Sequence, residues 1–299
     1  MADVIIVGGS YAGMAAALQL ARGRRDVVVL DEGIRRNRFA AHSHGVLGQD
    51  GRDPADFAQE ARSQLLKYPN VTWINEPATG VETVEDGFVI RTGDATTIWG
   101  KRLILATGVR DGLPEIHGLQ ERWGKAVFHC PYCHGYELEQ GPLGVLAIGE
   151  ISLHQALLIP EWGSTTFFTN GRFEPNDQQL QQLKSRNVRL ESERVVEISG
   201  SGPGATVHLR DGRKIELAGL FVASMVNASC PIVEQLACEM TETPLGSIIQ
   251  TSEMKETSIP NVFACGDATR AAGNLTMAMA DGVLAGSAAH RSLVFDGLS

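Results

Sequence analysis

The chain has 299 residues, of which 43% are hydrophobic and 20% are charged, a composition typical of globular proteins and not of disordered or fibrous ones. This length predicts two domains, each with its own core. The formal net charge of −9 argues against nucleic acid as a partner, because phosphate backbones are bound by clustered Lys and Arg.

The sequence predicts neither a secretion signal nor a membrane-spanning segment. Its first residues, MADVIIVGG, lead straight into a predicted strand and leave no room for a secretion signal. No apolar stretch reaches the roughly 18–20 residues of a membrane-spanning helix. We therefore expect a cytoplasmic protein, with no membrane partner. Five cysteines in a reducing compartment suggest chemistry by a close pair more than structural disulfides.

The N-terminal segment predicts a βαβ unit, with a strand over 3–7, a helix from about 12 to 23 and a strand over 27–30 that ends at Asp31. Between the first strand and the helix lies the turn GGSYAG, in which Ser10 replaces the second glycine of a G-x-G-x-x-G pattern. Such a turn lets a pyrophosphate approach the helix N-terminus, and a carboxylate such as Asp31 can bind ribose hydroxyls. The order of elements predicts dinucleotide binding; an ordinary glycine turn is the alternative.

The middle of the chain predicts further strands and a second βαβ-like unit. Alternating residues between 71 and 100 predict antiparallel hairpin strands that cover the nucleotide fold, and a buried strand over 103–106 ends at Thr107 and Gly108. The second unit is predicted as a strand from about 143, a helix over 152–162, a strand over 165–169, a helix over 177–184, a hairpin over 195–209 and a strand near 220.

The segment HCPYCHGYE holds two cysteines, Cys130 and Cys133, separated by two residues. This spacing allows a disulfide, and a neighbouring imidazole can lower a thiol pKa or carry a proton during exchange. We expect a redox pair and no metal. A zinc site completed by His129 and His134, and a pair of structural thiols, are the alternatives.

The C-terminal segment SIPNVFACGDA predicts a last buried strand, followed by a helix of small residues over about 275–292. An aspartate at the carboxyl end of a parallel strand faces the ligand crevice of a doubly wound fold, so Asp267 can bind ribityl or phosphate oxygens of a cofactor. On its own it is a loop residue. Cys230, Cys238 and Cys265 are expected to be small buried apolar residues.

Four of these motifs, GGSYAG, Ala106-Thr107-Gly108, CPYC and ACGDA, occur in the order and nearly at the spacing of the low-molecular-weight thioredoxin reductases, which the whole chain resembles. The resemblance implies an α/β fold of two Rossmann-like, three-layer ββα nucleotide-binding domains, the second inserted into the first. It implies an FAD-binding domain formed by 1–111 plus 246–299, and an NAD(P)H-binding-like domain over 112–245 that carries the CxxC. It also implies a homodimer.

By the same resemblance FAD is the cofactor, Cys133 lies nearer to the flavin, Cys130 exchanges with the substrate, and His134 serves as general base and acid. The implied FAD-binding residues are Gly8, Gly9, Ser10, Tyr11, Ala12, Gly13, Asp31, Glu32, His42, Gln49, Thr107, Gly108, Gly266, Asp267, Asn274 and Leu275.

Three departures from the reductases concern the electron donor or acceptor, and the third of them changes the acid-base group. The second nucleotide turn, over 147–152, retains only Gly149; Arg172 is the single arginine where the reductases carry a His-Arg-Arg cluster for the 2′-phosphate; and His134 replaces an aspartate. A pyrophosphate approaches such a turn closely only where glycines line it. NAD(P)H is therefore a doubtful cofactor.

These departures, with His42-Ser43-His44 before Gln49-Asp50-Gly51, resemble the gliotoxin and holomycin type of dithiol oxidase. That branch implies oxidation of a small-molecule or protein dithiol to a disulfide through Cys130, Cys133 and FAD, with dioxygen as acceptor. An NAD(P)H-dependent, thioredoxin reductase-like disulfide reductase is the main alternative. A ferredoxin-linked reductase and a flavin redox sensor without turnover also stay open. His42 and His44 are either catalytic or solvated loop residues.

Overall fold

The computed structural model describes residues 1–295, so the end of the predicted first domain, 296–299, lies outside the described residues. The strands are β1 (Ala2–Val7), β2 (Val27–Leu30), β3 (Val71–Ile74), β4 (Ala78–Val84), β5 (Gly87–Thr92), β6 (Thr97–Leu105), β7 (Arg110–Gly112), β8 (Val127–Phe128), β9 (Gln140–Leu146), β10 (Gly163–Phe168), β11 (Arg189–Glu191), β12 (Val195–Ser199), β13 (Ala205–Leu209), β14 (Lys214–Leu217), β15 (Gly219–Val222), β16 (Met225–Asn227), β17 (Met240–Thr243), β18 (Gly246–Ile249) and β19 (Val262–Ala264). The α-helices are α1 (Tyr11–Arg22), α2 (Pro54–Leu65), α3 (Leu119–Arg122), α4 (Pro131–His134), α5 (Ser152–Leu158), α6 (Asp177–Ser185), α7 (Pro231–Leu236) and α8 (Leu275–Phe295).

The described chain packs into two units, and the second is inserted into the first. The first unit comprises Met1–Arg38, Pro54–Arg110 and the described residues from Val226 onward, and the second comprises Phe39–Asp53 and Asp111–Met225. Each unit contains a parallel sheet with helices, so the α/β fold with two Rossmann-like units is confirmed.

The first unit is built on a sheet of order β3-β2-β1-β6-β5-β4, with β19 also paired to β6. The pairs among β3, β2, β1, β6 and β19 are parallel, whereas β4, β5 and the first half of β6 form an antiparallel extension. The apolar runs of β1 and β2 are almost entirely buried, as strands covered on both faces require.

The structure corrects the expected hairpin at β3. This strand pairs with β2 in parallel, Val28 opposite Thr72, and therefore belongs to the nucleotide-binding sheet itself. Alternating hydrophobicity predicts a half-buried strand but not its direction, and the crossover helix that a parallel pair needs is α2, which the sequence analysis does not predict. The two strands predicted around 97–106 are the single strand β6.

Small residues let α1 and α8 pack closely on one face of this sheet. A Cβ at Gly282 would lie 2.1 Å from the carbonyl oxygen of Ala12, and one at Gly286 would lie 2.6 Å from that of Ala16. The alanine- and glycine-rich sequence of α8 is thus explained by backbone approach and not by a membrane. Within residues 1–295, no helix is both long and apolar enough to span a bilayer.

The second unit contains a parallel sheet of order β11-β10-β9-β15-β8 and an antiparallel meander, β12-β13-β14. The central strand β9 pairs with β10 on one side and β15 on the other. Its buried residues, Leu143, Val145 and Leu146, contribute to the two apolar cores of the unit. The unit thus repeats the opening βαβ plan.

The unit boundaries differ from the predicted ones in two places. Residues 226–245 lie in the first unit, because Ile232, Val233 and Leu236 of α7 join the apolar core that contains Ile5 and Phe88. Residues 39–53 lie in the second unit, where Phe39 packs so closely on Gly124 that a Cβ at Gly124 would lie 2.6 Å from the Phe39 Cβ. The amino-acid composition does not change at either boundary in a way that would predict these contacts.

We predict that Gly282→Ala lowers the free energy of unfolding by about 1–3 kcal/mol, because the added methyl must push α1 and α8 apart. Gly202→Ala is the matched control: no atom lies within 4 Å of its Cβ position, so a change within about 0.5 kcal/mol is expected. Urea unfolding of both variants measures this. Equal stabilities would contradict the close helix contact.

Candidate active site

Cys130 and Cys133 form a disulfide at the carboxyl end of β8, with their Cα atoms 5.4 Å apart. Cys130 precedes the single helical turn α4, which Pro131 opens with a φ already suited to a helix. This turn brings residues 130 and 133 to the same side, and the Cys133 N–H donates to the Cys130 carbonyl at 3.4 Å. Both cysteines are partly exposed, so the bond is open to exchange.

An aromatic platform supports the turn that follows the dithiol. A Cβ at Gly135 would lie 2.6 Å from the ring of Trp162, so glycine is required there. Tyr132, which lies between the cysteines and is 72% exposed, packs edge-on against the same tryptophan at 5.2 Å. Glycine and tryptophan together therefore fix the position of α4.

His134 stacks on Phe128, with ring centroids 4.3 Å apart and planes inclined by 21°. Burial of the imidazole, with a smaller contribution from the nearby His44, lowers the pKa of His134 to about 4. The ring is therefore neutral at pH 7. A neutral imidazole next to Cys133 can accept a proton, which is the base half of its predicted role.

The loop over 39–53 places His44 between two carboxylates of the same unit. Its Nδ1 lies 3.6 Å from Asp50 Oδ1 and its Nε2 lies 3.4 Å from Glu137 Oε1, in the segment just after the CxxC. His42 is exposed, and its Nδ1 lies 3.1 Å from the Gly51 carbonyl oxygen. His44 therefore faces the dithiol segment more directly than His42 does.

Two predicted FAD residues lie in this loop, and so in the second unit. Beside His42, Gln49 accepts a hydrogen bond from Arg52 through its side-chain oxygen, at 2.7 Å. The other predicted FAD residues all belong to the first unit. The sequence does not predict that the loop belongs to the second unit, because the loop lies between β2 and α2, which both belong to the first.

The turn after β1 needs glycine at each of its three glycine positions. A Cβ at Gly8, where φ is +102°, would lie 2.2 Å from the Ala106 oxygen, and one at Gly13 would lie 1.8 Å from the Gly8 oxygen. A Cβ at Gly9 would lie 2.5 Å from the Trp73 ring. Ser10 caps α1 in extended conformation without a side-chain cap hydrogen bond. The N-terminus of α1 follows this turn directly, and the positive end of a helix dipole suits an anion.

Polar groups and open space surround that turn. Gly9 N–H donates to Asp31 Oδ1 at 3.2 Å, while Glu32 is exposed. Within the described residues, the buried hydroxyl of Thr107 has no hydrogen-bond partner. No atom lies within 4 Å of the Cβ position of Gly108, where φ is +66°. An unsatisfied hydroxyl beside an open, glycine-lined turn fits a bound dinucleotide such as FAD.

Asp267 lies in the 3₁₀ turn after β19, next to Gly266 with φ +72°. It forms an ion pair with Arg36, at 2.8 Å, which the sequence analysis does not single out. The available signal was the arginine run just after Asp31. Asn274 Oδ1 accepts the Met277 N–H at 2.9 Å and so caps α8, which begins at Leu275.

The corresponding turn of the second unit, over 147–152, is satisfied by its own residues. Ile148 N–H donates to Ser152 Oγ at 3.0 Å, and Ser152 is fully buried. Near this turn lies a cavity of about 540 Å³, lined in part by Ile148, Asn170, Arg172 and Arg194. Arg194 adds a second cation to the single arginine expected from the sequence.

The remaining thiols have no sign of reactivity. Cys238 and Cys265 are buried and Cys230 is partly buried. Burial raises the pKa of Cys238, and it raises that of Cys265 to about 12. In the part of the chain that the structure describes, no group of three or more His, Cys, Asp or Glu side chains could hold a metal ion.

Comparison with known proteins agrees with this geometry. A family model described as pyridine nucleotide-disulphide oxidoreductase matches residues 2–282. The chain belongs to this family. Thioredoxin reductase sirT of Leptosphaeria maculans is 32% identical over 304 residues, which cover 95% of this chain and 92% of that protein.

Solved structures extend the similarity to the whole fold. The crystal structure of the oxidoreductase from Agrobacterium tumefaciens is 50% identical, with a TM-score of 0.95 over 99% of both chains. The crystal structure of HlmI is 31% identical, with a TM-score of 0.90 over 99% of this chain and 94% of that one.

The protein is therefore a thioredoxin reductase-like flavoprotein disulfide oxidoreductase, and the family predicted from the sequence, nearest its gliotoxin and holomycin branch, is confirmed. Membership of the family implies FAD, which the glycine turn and the unsatisfied Thr107 hydroxyl fit.

We predict that acid destabilises the protein partly through His134. Because the folded state lowers the His134 pKa from 6.5 to about 4, the unfolded chain binds this proton first as the pH falls below 6.5. Relative to His134→Gln, the wild type should lose on the order of 1–2 kcal/mol of unfolding free energy between pH 7.5 and 5, after allowance for partial exposure. Urea unfolding at both pH values measures the difference, and parallel losses would contradict a neutral His134.

Proposed function

We propose that the protein oxidises a dithiol to a disulfide through Cys130, Cys133 and FAD, with dioxygen as the final electron acceptor. The observation that carries this proposal is the contrast between the two nucleotide turns. The first needs glycine at positions 8, 9 and 13 and leaves open space beside Thr107, whereas the second has already satisfied Ile148 N–H with Ser152. One dinucleotide, FAD, suits such a chain better than two.

The chemistry at sulfur is two successive thiol–disulfide exchanges. A substrate thiolate attacks Cys130, so that a mixed disulfide forms and Cys133 leaves as a thiolate. The second substrate thiolate then attacks its own mixed-disulfide sulfur, and Cys130 leaves. The substrate has lost two electrons and two protons, and the enzyme dithiol has gained them.

FAD, when bound, supplies the two-electron acceptor for the reduced dithiol and the route to dioxygen, so that one dithiol and one dioxygen give one disulfide and one hydrogen peroxide. The residues that would hold it are those of the glycine turn with Asp31, Thr107 and Asp267. Asp31 already accepts Gly9 N–H, and Arg36 offsets the charge of Asp267. The other predicted FAD residues of the first unit, Glu32, Gly108, Gly266, Asn274 and Leu275, lie next to or within several residues of these in the sequence.

We assign to His134 a proton of the reduced dithiol and none in the exchange itself, in which Cys133 leaves as a thiolate. Because its pKa is about 4, the ring is unprotonated at neutral pH and can accept the proton of a Cys133 thiol, its neighbour in the sequence, before the dithiol is oxidised again. Stacking on Phe128 fixes the orientation of the ring. We assign Cys133 as the sulfur that passes electrons on and Cys130 as the sulfur that meets the substrate. The reaction is proposed for a homodimer in the cytoplasm.

A reductase that draws electrons from NAD(P)H is the second candidate, and one observation favours it. The cavity beside the second turn is lined in part by two arginines, Arg172 and Arg194, and is large enough for part of a nucleotide. In that direction Cys130 and Cys133 would reduce a disulfide instead of forming one.

Anaerobic mixing separates the two candidates. We expect that reduced dithiols bleach the flavin absorption band, whereas NADPH and NADH at the same concentration do not. On admission of air the band should return with one hydrogen peroxide for each disulfide formed. Rapid bleaching by NADPH or NADH would reject the oxidase and support the reductase.

Replacement of Cys133 tests the sulfur pathway. Cys133→Ser should abolish dithiol oxidation and retain bound FAD, because it removes the sulfur and leaves the residues of the glycine turn in the first unit unchanged. Cys230→Ser is the matched control, a partly buried free thiol that should keep full turnover. Turnover rates and the flavin-to-protein absorbance ratio measure both effects. Undiminished turnover in Cys133→Ser would reject this pathway.

A further inference from the structure

The segment between β19 and α8, residues 265–274, carries two of the residues predicted to hold FAD, Asp267 and Asn274. Its first end is fixed by the sheet of the first unit, where the Cys265 N–H donates to a carbonyl oxygen of β6 at 3.0 Å. Its last end is fixed by α8, which Asn274 caps. Residues 270–273 lie in neither a helix nor a strand, and ordering such a stretch costs conformational entropy that other contacts must offset.

An ion pair between Arg270 and Asp281 supplies such a contact from the helix that follows. Arg270 Nε donates to Asp281 Oδ2 at 2.5 Å, and Arg270 Nη2 donates to Asp281 Oδ1 at 2.8 Å. The Asp281 side chain, on α8, is 4% exposed, whereas that of Arg270 is 38% exposed. A guanidinium that bonds a carboxylate through two nitrogens is fixed in direction as well as in distance. The pair therefore ties the segment to α8 in one geometry.

Arg270 and Asp267 are close neighbours within the segment. The Arg270 N–H donates to the Asp267 carbonyl oxygen at 3.2 Å. Hydrogen bonding to Asp281 is the main cause that raises the pKa of Arg270, and the charge of Asp267 adds to it. The segment then folds back on itself, since a Cβ at Gly273 would lie 2.9 Å from Asp267 Oδ1 and 4.0 Å from Arg270 Cδ. The stretch that Arg270 ties to α8 therefore packs against the Asp267 carboxylate.

A second cation, Lys255, bonds the same buried carboxylate but lies outside the segment. Its Nζ lies 2.9 Å from Asp281 Oδ1, and its side chain is 12% exposed. Lys255 belongs to a turn ahead of β19, where its N–H donates to the Ser252 carbonyl oxygen at 3.0 Å. Removal of Lys255 leaves the Arg270–Asp281 pair in place, whereas removal of Arg270 detaches the segment from α8. The same loss of one positive charge thus has different structural consequences at the two positions.

We propose that Arg270 and Asp281 are positioning residues for FAD, which act through Asp267 by holding the segment in its binding conformation. The inference rests on the FAD site of the proposed function and deepens it, since it names what orders the Asp267 side of that site. Lys255 neutralises Asp281 and orients no predicted FAD residue. The apparent affinity for a ligand falls with the fraction of molecules in the binding conformation, so loss of the pair raises the dissociation constant of FAD.

The test measures the FAD dissociation constant of the full-length, FAD-loaded protein by serial dilution and ultrafiltration, with flavin fluorescence of the filtrate as the readout. We expect Arg270→Gln to raise this constant about tenfold, as a segment ordered in one molecule in ten requires. Asp281→Asn should raise it to a similar extent, although it changes the charge in the opposite direction. Arg270→Lys keeps the charge but not the two-nitrogen geometry, so an intermediate constant is expected.

Lys255→Gln is the matched control, because it removes the same charge from the same carboxylate and leaves the Arg270 pair intact. Its FAD dissociation constant should stay within about twofold of the wild-type value, since the population of the binding conformation is unchanged. Both Lys255→Gln and Arg270→Gln should lower the melting temperature, because each removes one partner of a buried carboxylate. Lower stability with unchanged FAD affinity in Lys255→Gln, and both losses in Arg270→Gln, separate positioning from a general structural role.

An unchanged constant in Arg270→Gln would overturn the assignment, and so would an equal rise in Lys255→Gln. Opposite shifts in Arg270→Gln and Asp281→Asn would also overturn it, in favour of direct action of charge on the cofactor. Should Asp281→Asn fail to fold, because it leaves two cations without their carboxylate, the comparison of Arg270→Gln with Lys255→Gln decides alone. A raised constant in a protein that NADPH reduces would reject the oxidase and keep the positioning role, whereas unchanged constants in an active oxidase would reject only the positioning role.

Discussion

The Cys130–Cys133 disulfide is the one covalent feature of the second unit on which the assigned chemistry depends, and its position follows from local structure. A strand, β8, ends just before it, and a single proline-initiated turn places the two sulfur-bearing residues on one side. The close contact of Gly135 with the Trp162 ring then fixes the position of that turn. The disulfide forms within one local turn and needs few long-range contacts. The spacing of the two cysteines alone therefore predicts it.

What the pair can do depends on the protonation of its neighbours, which burial and not sequence determines. Phe128 covers the imidazole of His134 and keeps it neutral, so this histidine differs from an exposed one in the pH range where it can act. Before the CxxC, the Ser224 N–H donates to His129 Nδ1 across 95 residues of sequence, and the Ser224 hydroxyl donates to Asp111 across 113. The two histidines that flank the CxxC therefore have different environments.

The turn after β1 and the corresponding turn of the second unit differ in how their backbone groups are packed and bonded. In the first unit, backbone atoms of Ala106 and Gly8 lie so close to the turn that only glycine is accommodated at positions 8 and 13. In the second, the buried Ser152 hydroxyl accepts the Ile148 N–H. Of the glycines typical of such a turn, the second unit keeps only Gly149.

The sequence predicts much of this structure, for identifiable reasons. The order and type of the βαβ elements follow from strong apolar periodicity, and the glycine turn is predicted from its place between a strand and a helix. The direction of β3 is missed because alternation does not encode it, and α2 because its apolar residues are sparse. The placement of His42 and Gln49 with the dithiol, and the partners Arg36 and Ser224, depend on packing between distant segments.

A reductive titration tests the central claim, that the disulfide and the flavin form one electron-transfer unit. Dithionite added anaerobically to the FAD-loaded protein should be consumed to four electrons per chain, two for the flavin and two for Cys130–Cys133, before the flavin band is fully bleached. Full bleaching after two electrons, with the disulfide still intact by thiol counting under denaturing conditions, would contradict the account.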